Sequence, residues 1–89
     1  MYRIVAAKQA LKDFPNLTAA GLDKKAKALI ELLKENPFQN PPAYEKLVGD
    51  MEGLYSRIIN LKHRLVYQVD EENKTVKIVS AWSHYESIK

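Results

Sequence analysis

The chain has 89 residues, no cysteine, two histidines (His63 and His84), 46% hydrophobic residues and a net charge of +3. This length supports one domain, 1–89, whose modest core buries about 60–65% of the surface of the unfolded chain. Without cysteine there is no disulfide framework, thiol nucleophile or thiolate metal site; with only two histidines a structural zinc site is not expected either, and no cofactor is implied. The segment from Met1 to Lys12 has no apolar run of signal-peptide length and no later segment matches a bilayer span, so a cytoplasmic address is expected. The positive charge is a weak pointer to an anionic partner, because many small basic proteins use it only to stay in solution.

Tyr2, Ile4 and Ala6 alternate with Arg3 and Val5, which predicts a short first strand. From Lys8 the spacing becomes helical through Ala10, Leu11 and Phe14; Pro15 is expected to end or kink this helix, which resumes from Leu17 to Ala20 and stops at Gly21. A second helix follows, with Leu22, Ala26, Leu29, Ile30 and Leu33 in one apolar stripe and Lys24, Lys25, Lys27, Glu31 and Lys34 on a solvated face. Asp23 suits its start, and Asn36-Pro37 ends it. The pair is read as an antiparallel hairpin with its apolar faces on a sheet.

Asn36 to Tyr44 holds three prolines and is read as a stiff loop, a sound mount for a reactive side chain or simply a connector. Turns around Leu47-Val48 are marked by Gly49 and Gly53. Three further strands are expected, Leu54 to Leu61, Arg64 to Val69 and Thr75 to Tyr85, joined by tight turns near Asn60–His63 and Asp70–Asn73. The order β-α-α-β-β-β predicts an α+β domain, an antiparallel sheet with two helices on one face and the other face open.

Arg57, Arg64 and His84 stand inside strands otherwise rich in Ile, Val, Leu and Tyr. Alternation turns polar strand positions away from the helices. Metal-free ribonuclease chemistry needs a base for the 2′-hydroxyl, a cation at the phosphate and an acid for the leaving 5′-oxygen. Glu45, Arg64 and His84 can supply these in that order, although by spacing alone such residues are more often solvated surface groups. Tyr44, Tyr55, Tyr67 and Trp82 fit either packing or stacking on unpaired bases, with packing preferred for Tyr67 and Trp82. His63 at a turn is read as structural or exposed.

Pro37-Phe38, Tyr44-Glu45-Lys46-Leu47, Gly53-Leu54-Tyr55-Ser56-Arg57, His63-Arg64-Leu65-Val66-Tyr67 and His84-Tyr85 follow one another in the chain. Together they resemble the successive signatures of YoeB/Txe-type toxins, a branch of the RelE superfamily, over about the last two-thirds of the sequence. The resemblance implies a RelE-like fold, cleavage of mRNA in the ribosomal A site and an acidic antitoxin of the Phd/YefM type that blocks the site; it also admits a homodimer. Carried over residue by residue, Glu45 matches the general base, His84 the general acid and Arg64 the arginine that stabilises the transition state. Tyr85 matches the tyrosine that orients the RNA. Arg57 matches the first of paired arginines, a backbone or ribosomal contact rather than a catalyst.

Two departures stand out. Ile58 occupies the place of the second arginine of the pair, which removes a cation from the phosphate site and implies weakened activity unless Lys46 or Lys62 compensates. Four residues, Glu86 to Lys89, follow a His-Tyr that often closes the chain in the family. Two alternatives remain open at this point: a gyrase-binding inhibitor like the ParE toxins, and a toxin that binds ribosome and antitoxin but barely cuts.

Overall fold

A computed structural model describes residues 1–48 and 53–84, with Ser83 and His84 as backbone alone. The turn expected at 49–52, Tyr85 and the C-terminal tail lie outside the described residues. The elements run β1 (Arg3–Ala6), α1 (Lys8–Ala19), α2 (Asp23–Glu35), β2 (Tyr44–Lys46), β3 (Leu54–Ile58), β4 (His63–Asp70) and β5 (Thr75–His84).

Helix α1 buries Ala10, Asp13 and Leu17, one stripe at helical spacing. It runs unbroken through Pro15. Proline removes the bond to the carbonyl of Leu11, and both residues lie on the exposed side of the helix. The helix ends in a Schellman turn: Leu22 N–H donates to the Leu17 carbonyl at 2.8 Å and Gly21 N–H to Thr18 at 3.1 Å. Gly21, at φ +74°, supplies the left-handed conformation this turn requires. Leu17 and Leu22 close the turn on the apolar side and join the main core. The reversal starts α2, which buries Ala26, Leu29 and Leu33 and stops at Asn36 before Pro37.

The sheet has five strands in the order β1-β5-β4-β3-β2. β1 runs parallel to β5 and every other neighbour is antiparallel, so the sheet is mixed where an all-antiparallel one was expected. The added strand, β2, is only three residues long and follows a proline-rich loop, too short to show alternation in sequence. Two helices on one face and a sheet beneath them are as expected. Leu65, Tyr67, Val76, Ile78 and Ala81 meet the helices in one core, and Leu47 and Val66, with Leu54 and Val79 against them, form a smaller cluster.

An alanine at Gly21 would meet nothing within 4 Å, so its cost comes from the backbone alone. Gly21→Ala is expected to lose about 1–2 kcal/mol and to lower Tm by about 4–8 °C per kcal/mol, measured by thermal unfolding.

Candidate active site

Strand pairing sorts the polar residues onto two faces. Glu45 pairs with Ser56 and Ser56 with Val66; Ile58 pairs with Arg64 and Arg64 with Ser83. Directly paired residues share a face, which groups Glu45, Ser56, Ile58 and Arg64 with Val66, on the side away from the helices. The smaller cluster of Leu47, Val66, Leu54 and Val79 forms the floor there. Two strand spacings and two residue steps separate the Glu45 and Arg64 backbones, about 12 Å, a gap that their long side chains narrow from both ends.

Each of the two has its own mount. Glu45 is exposed on β2, the edge strand. Arg64 is 8% exposed and donates from Nη1 to the Asn60 carbonyl at 3.1 Å. Asn60 also organises the β3–β4 turn: its Oδ1 accepts from the N–H groups of Lys62 and His63 at 2.9 and 2.8 Å. Ile58, directly across from Arg64, is half exposed. Lys62, at the turn, is exposed.

Arg57 pairs with Leu65, on the opposite face. It was expected to touch RNA, and it is instead 1% exposed with its guanidinium consumed inside the protein. Nη1 donates to the Pro42 carbonyl at 2.7 Å, Nη2 to those of Pro37 and Gln39 at 3.0 and 2.9 Å, and Nε to the Tyr67 hydroxyl at 3.2 Å. That hydroxyl in turn donates to the Pro37 carbonyl at 2.9 Å. The Tyr44 ring lies 5.0 Å from the guanidinium carbon. Phe38, Tyr44, Tyr55 and Tyr67 pack around it at centroid distances of 5.3 to 6.1 Å. Arg57 therefore ties the proline loop to the sheet with four of its five N–H groups and, at 1% exposure, is out of reach of a ligand.

Lys46, named above as a cation that could bind the phosphate in place of the arginine lost at Ile58, pairs with Tyr55. Alternation along β2 puts it on the face opposite Glu45, so the two are not brought together. His84 lies opposite His63 in the backbone register, one residue on from the Ser83 that faces Arg64. His63 itself is 7% exposed, stacks on Trp82 at 3.8 Å and sets its Nδ1 3.3 Å from the Trp82 carbonyl. It serves packing, as does Trp82. Among the described residues no three His, Cys, Asp or Glu side chains come together to hold a metal, and no helix is long and apolar enough to cross a membrane.

One residue with a strong structural signature carried no expectation. Asp13, 4% exposed, accepts at Oδ2 from the N–H groups of Ala81 at 2.9 Å and Trp82 at 3.3 Å. Its sequence signal is a carboxylate set in the stripe of Ala10 and Leu17, since a buried polar group needs partners.

Two helices on one face of this five-stranded mixed sheet, with the opposite face uncovered by any helix, match the RelE-like fold of toxins. The fold match extends to YafQ from E. coli at a TM-score of 0.82 and 18% identity, covering 100% of both chains. Residues 7–85 match the model of the YoeB-like toxins of bacterial type II toxin–antitoxin systems, and the chain belongs to that family. Toxin YoeB of Synechocystis sp. is 33% identical over 63 residues, 71% of each chain. The YoeB/ParE toxin of Agrobacterium tumefaciens superimposes with a TM-score of 0.83 at 29% identity, covering 93% of this chain and 99% of that one. The YoeB of a Staphylococcus aureus YoeB–YefM complex does so at 0.78 and 33%, covering 96% and 99%.

Removing Arg57 strands carbonyls in a closed loop. Arg57→Leu is expected to cost about 3 kcal/mol or more in chemical denaturation, and Arg57→Lys a large part of that, because one ammonium cannot replace the planar fork. Burial, opposed by the Arg57 charge, holds the Tyr67 phenol above the ordinary tyrosine range. The folded phenol keeps its proton to higher pH than the unfolded one, so its contribution is whole below about pH 10 and is lost as pH rises through its raised folded value. Tyr67→Phe should flatten that alkaline fall, read from urea melts on either side of about pH 10.

Proposed function

We propose that the protein is a ribosome-dependent mRNA endoribonuclease, the toxin of a type II module, acting by metal-free acid–base catalysis. The observation that carries this reading is the grouping of Glu45 and Arg64 on the open face, with Ser83 paired to Arg64; His84, the next residue, enters from the family resemblance. The Glu45 carboxylate takes the proton of the RNA 2′-hydroxyl as that oxygen attacks the adjacent phosphorus. The Arg64 guanidinium faces the charge that builds on the phosphate oxygens. The bond from phosphorus to the 5′-oxygen breaks, and His84, protonated, delivers its proton to the leaving oxygen. The products are a 2′,3′-cyclic phosphate and a free 5′-hydroxyl. Tyr85 is assigned to orienting the RNA.

Ile58 places an exposed apolar side chain directly opposite Arg64. With Arg57 turned inward and Lys46 on the other face, Arg64 has no strong cationic neighbour from these positions. We assign a turnover below the family norm to that arrangement. The toxin acts in the cytoplasm, where ribosomes are. Its inhibitor is an acidic antitoxin of the YefM type, as seen on the Staphylococcus aureus YoeB; a toxin homodimer is a further assembly open to it, like the YoeB dimer solved from that organism.

A digest of a defined mRNA, with and without programmed ribosomes, tests the reading. Cuts should require the ribosome and end in cyclic phosphate. Glu45→Ala and His84→Ala should each slow cleavage about 10²–10⁴-fold, and a 2′-deoxy nucleotide at the cut should abolish it. Ile58→Arg should raise the rate. Loss of gyrase activity without any cut RNA would instead select an inhibitor of the ParE type. Ribosome binding with no cuts until Ile58→Arg is introduced would select the disabled toxin.

A further inference from the structure

Building on the reading of this protein as an RNA-cutting toxin, we propose that Asp13 is a positioning residue that sets the C-terminal end of β5, and through it His84. Strand β5 shifts register twice against β4, once at Val79, between the pairs Tyr67–Ile78 and Val66–Ser80, and again just before that end. Val66 pairs with Ser80 and Arg64 with Ser83, so Ala81 and Trp82 together stand opposite the single residue Leu65. This is a bulge, and a bulge takes N–H groups out of the ladder. Asp13 receives both of them on one oxygen, Oδ2. Its other oxygen, Oδ1, accepts from Gln9 Nε2 at 2.8 Å, which orients the carboxylate along α1. The Trp82 carbonyl meets His63 Nδ1 at 3.3 Å, and the Trp82 ring is stacked on the His63 ring.

The bulge is thus held from α1 on its N–H side and from β4 on its carbonyl side, immediately before the chain returns to register at Ser83 and His84. Its consequence is direct: the extra residue decides which residue of β5 faces Arg64. A regular ladder continued from Val66 and Ser80 would place Trp82 opposite Arg64; the bulge places Ser83 there and sets the His84 backbone opposite His63. Neutral groups can cap such amides, but a carboxylate accepts both with charge-assisted bonds. A burial of 4% exposure makes the loss of these bonds costly enough to hold one register. Asp13 touches neither substrate nor reacting atoms in this scheme; it acts through the strand.

The test compares wild type with Asp13→Ala, Asp13→Asn and Ala26→Gly, the last loosening α2 away from β5. Protein NMR follows the Ala81 and Trp82 amides and the titration of the His84 imidazole, and single-turnover and steady-state cleavage on programmed ribosomes give kcat and KM. In Asp13→Ala the two amides should lose exchange protection, the His84 titration should shift and kcat should fall about tenfold to a hundredfold with KM unchanged. Asp13→Asn, which keeps one accepting oxygen, should lie between, and it carries the comparison if Asp13→Ala does not fold. Ala26→Gly should lower Tm and leave kcat and the His84 titration as in wild type. An unmoved His84 titration in both Asp13 variants would overturn the proposal, as would an equal loss of kcat in Ala26→Gly. If wild type makes no ribosome-dependent cuts, the nuclease reading fails, and the His84 titration still decides the role of Asp13.

Discussion

The buried guanidinium of Arg57 is the interaction on which the β2 side of the molecule depends. The loop between α2 and β2 has no ladder for its own backbone, and buried carbonyls without donors destabilise a fold by roughly 1–3 kcal/mol each. The carbonyl of buried Pro37 and those of the exposed residues Gln39 and Pro42 converge on one side chain. Lysine has no fixed fork and a hydrocarbon side chain has no donor, so arginine is the one residue whose planar array of N–H groups reaches them together. Closing the loop this way seats Tyr44 against β3 and so fixes the edge strand that presents Glu45.

Two arginines on adjacent strands thus have unrelated tasks, and parity alone separates them. Arg57 pairs with Leu65 and turns toward the core side; Arg64 pairs with Ile58 and turns toward the open side. A shift of one residue in the β3–β4 register would bring the two onto one face. The Asn60 side chain guards against that shift, because it caps the turn while its carbonyl receives Arg64. A turn residue therefore controls both the register and the cation at the site.

The sequence was most legible where periodicity is long. Both helices, the Gly21 stop and the last three strands follow from apolar spacing and turn residues, because each repeats its signal over many positions. Strand β2 escaped because three residues cannot display alternation, and the parallel pairing of β1 escaped because its partner lies at the far end of the chain. The direction of Arg57 and Lys46 was illegible for a related reason: the face of a residue is a property of register, and register on β2 is set by contacts with β3 that spacing does not encode. Asp13 looked like any polar residue on an amphipathic helix, since the groups it serves are 68 and 69 positions away. Glu45 and Arg64 came through the resemblance, and the register then placed them on one face.

A domain of this size has little apolar core to spend on precision, and its site is steadied by buried charge on the far side of the sheet. Arg57 clamps the strand bearing Glu45, and Asp13 clamps the strand bearing His84. Neither has an ion-pair partner among the described residues; both are satisfied by backbone groups that regular structure leaves over, loop carbonyls for one and bulge amides for the other. Such charges are expensive to bury and more expensive to leave without partners, so each tolerates a single local arrangement. That intolerance is what two irregular segments need: the proline loop and the β5 bulge have no repeating ladder to hold them, and a side chain with one acceptable geometry takes its place. Arg64 sits between the two clamped strands, on β4, the strand held on both sides by neighbours. Strands β2 and β5 are thereby fixed from behind, and the open face stays free of the scaffold that holds it.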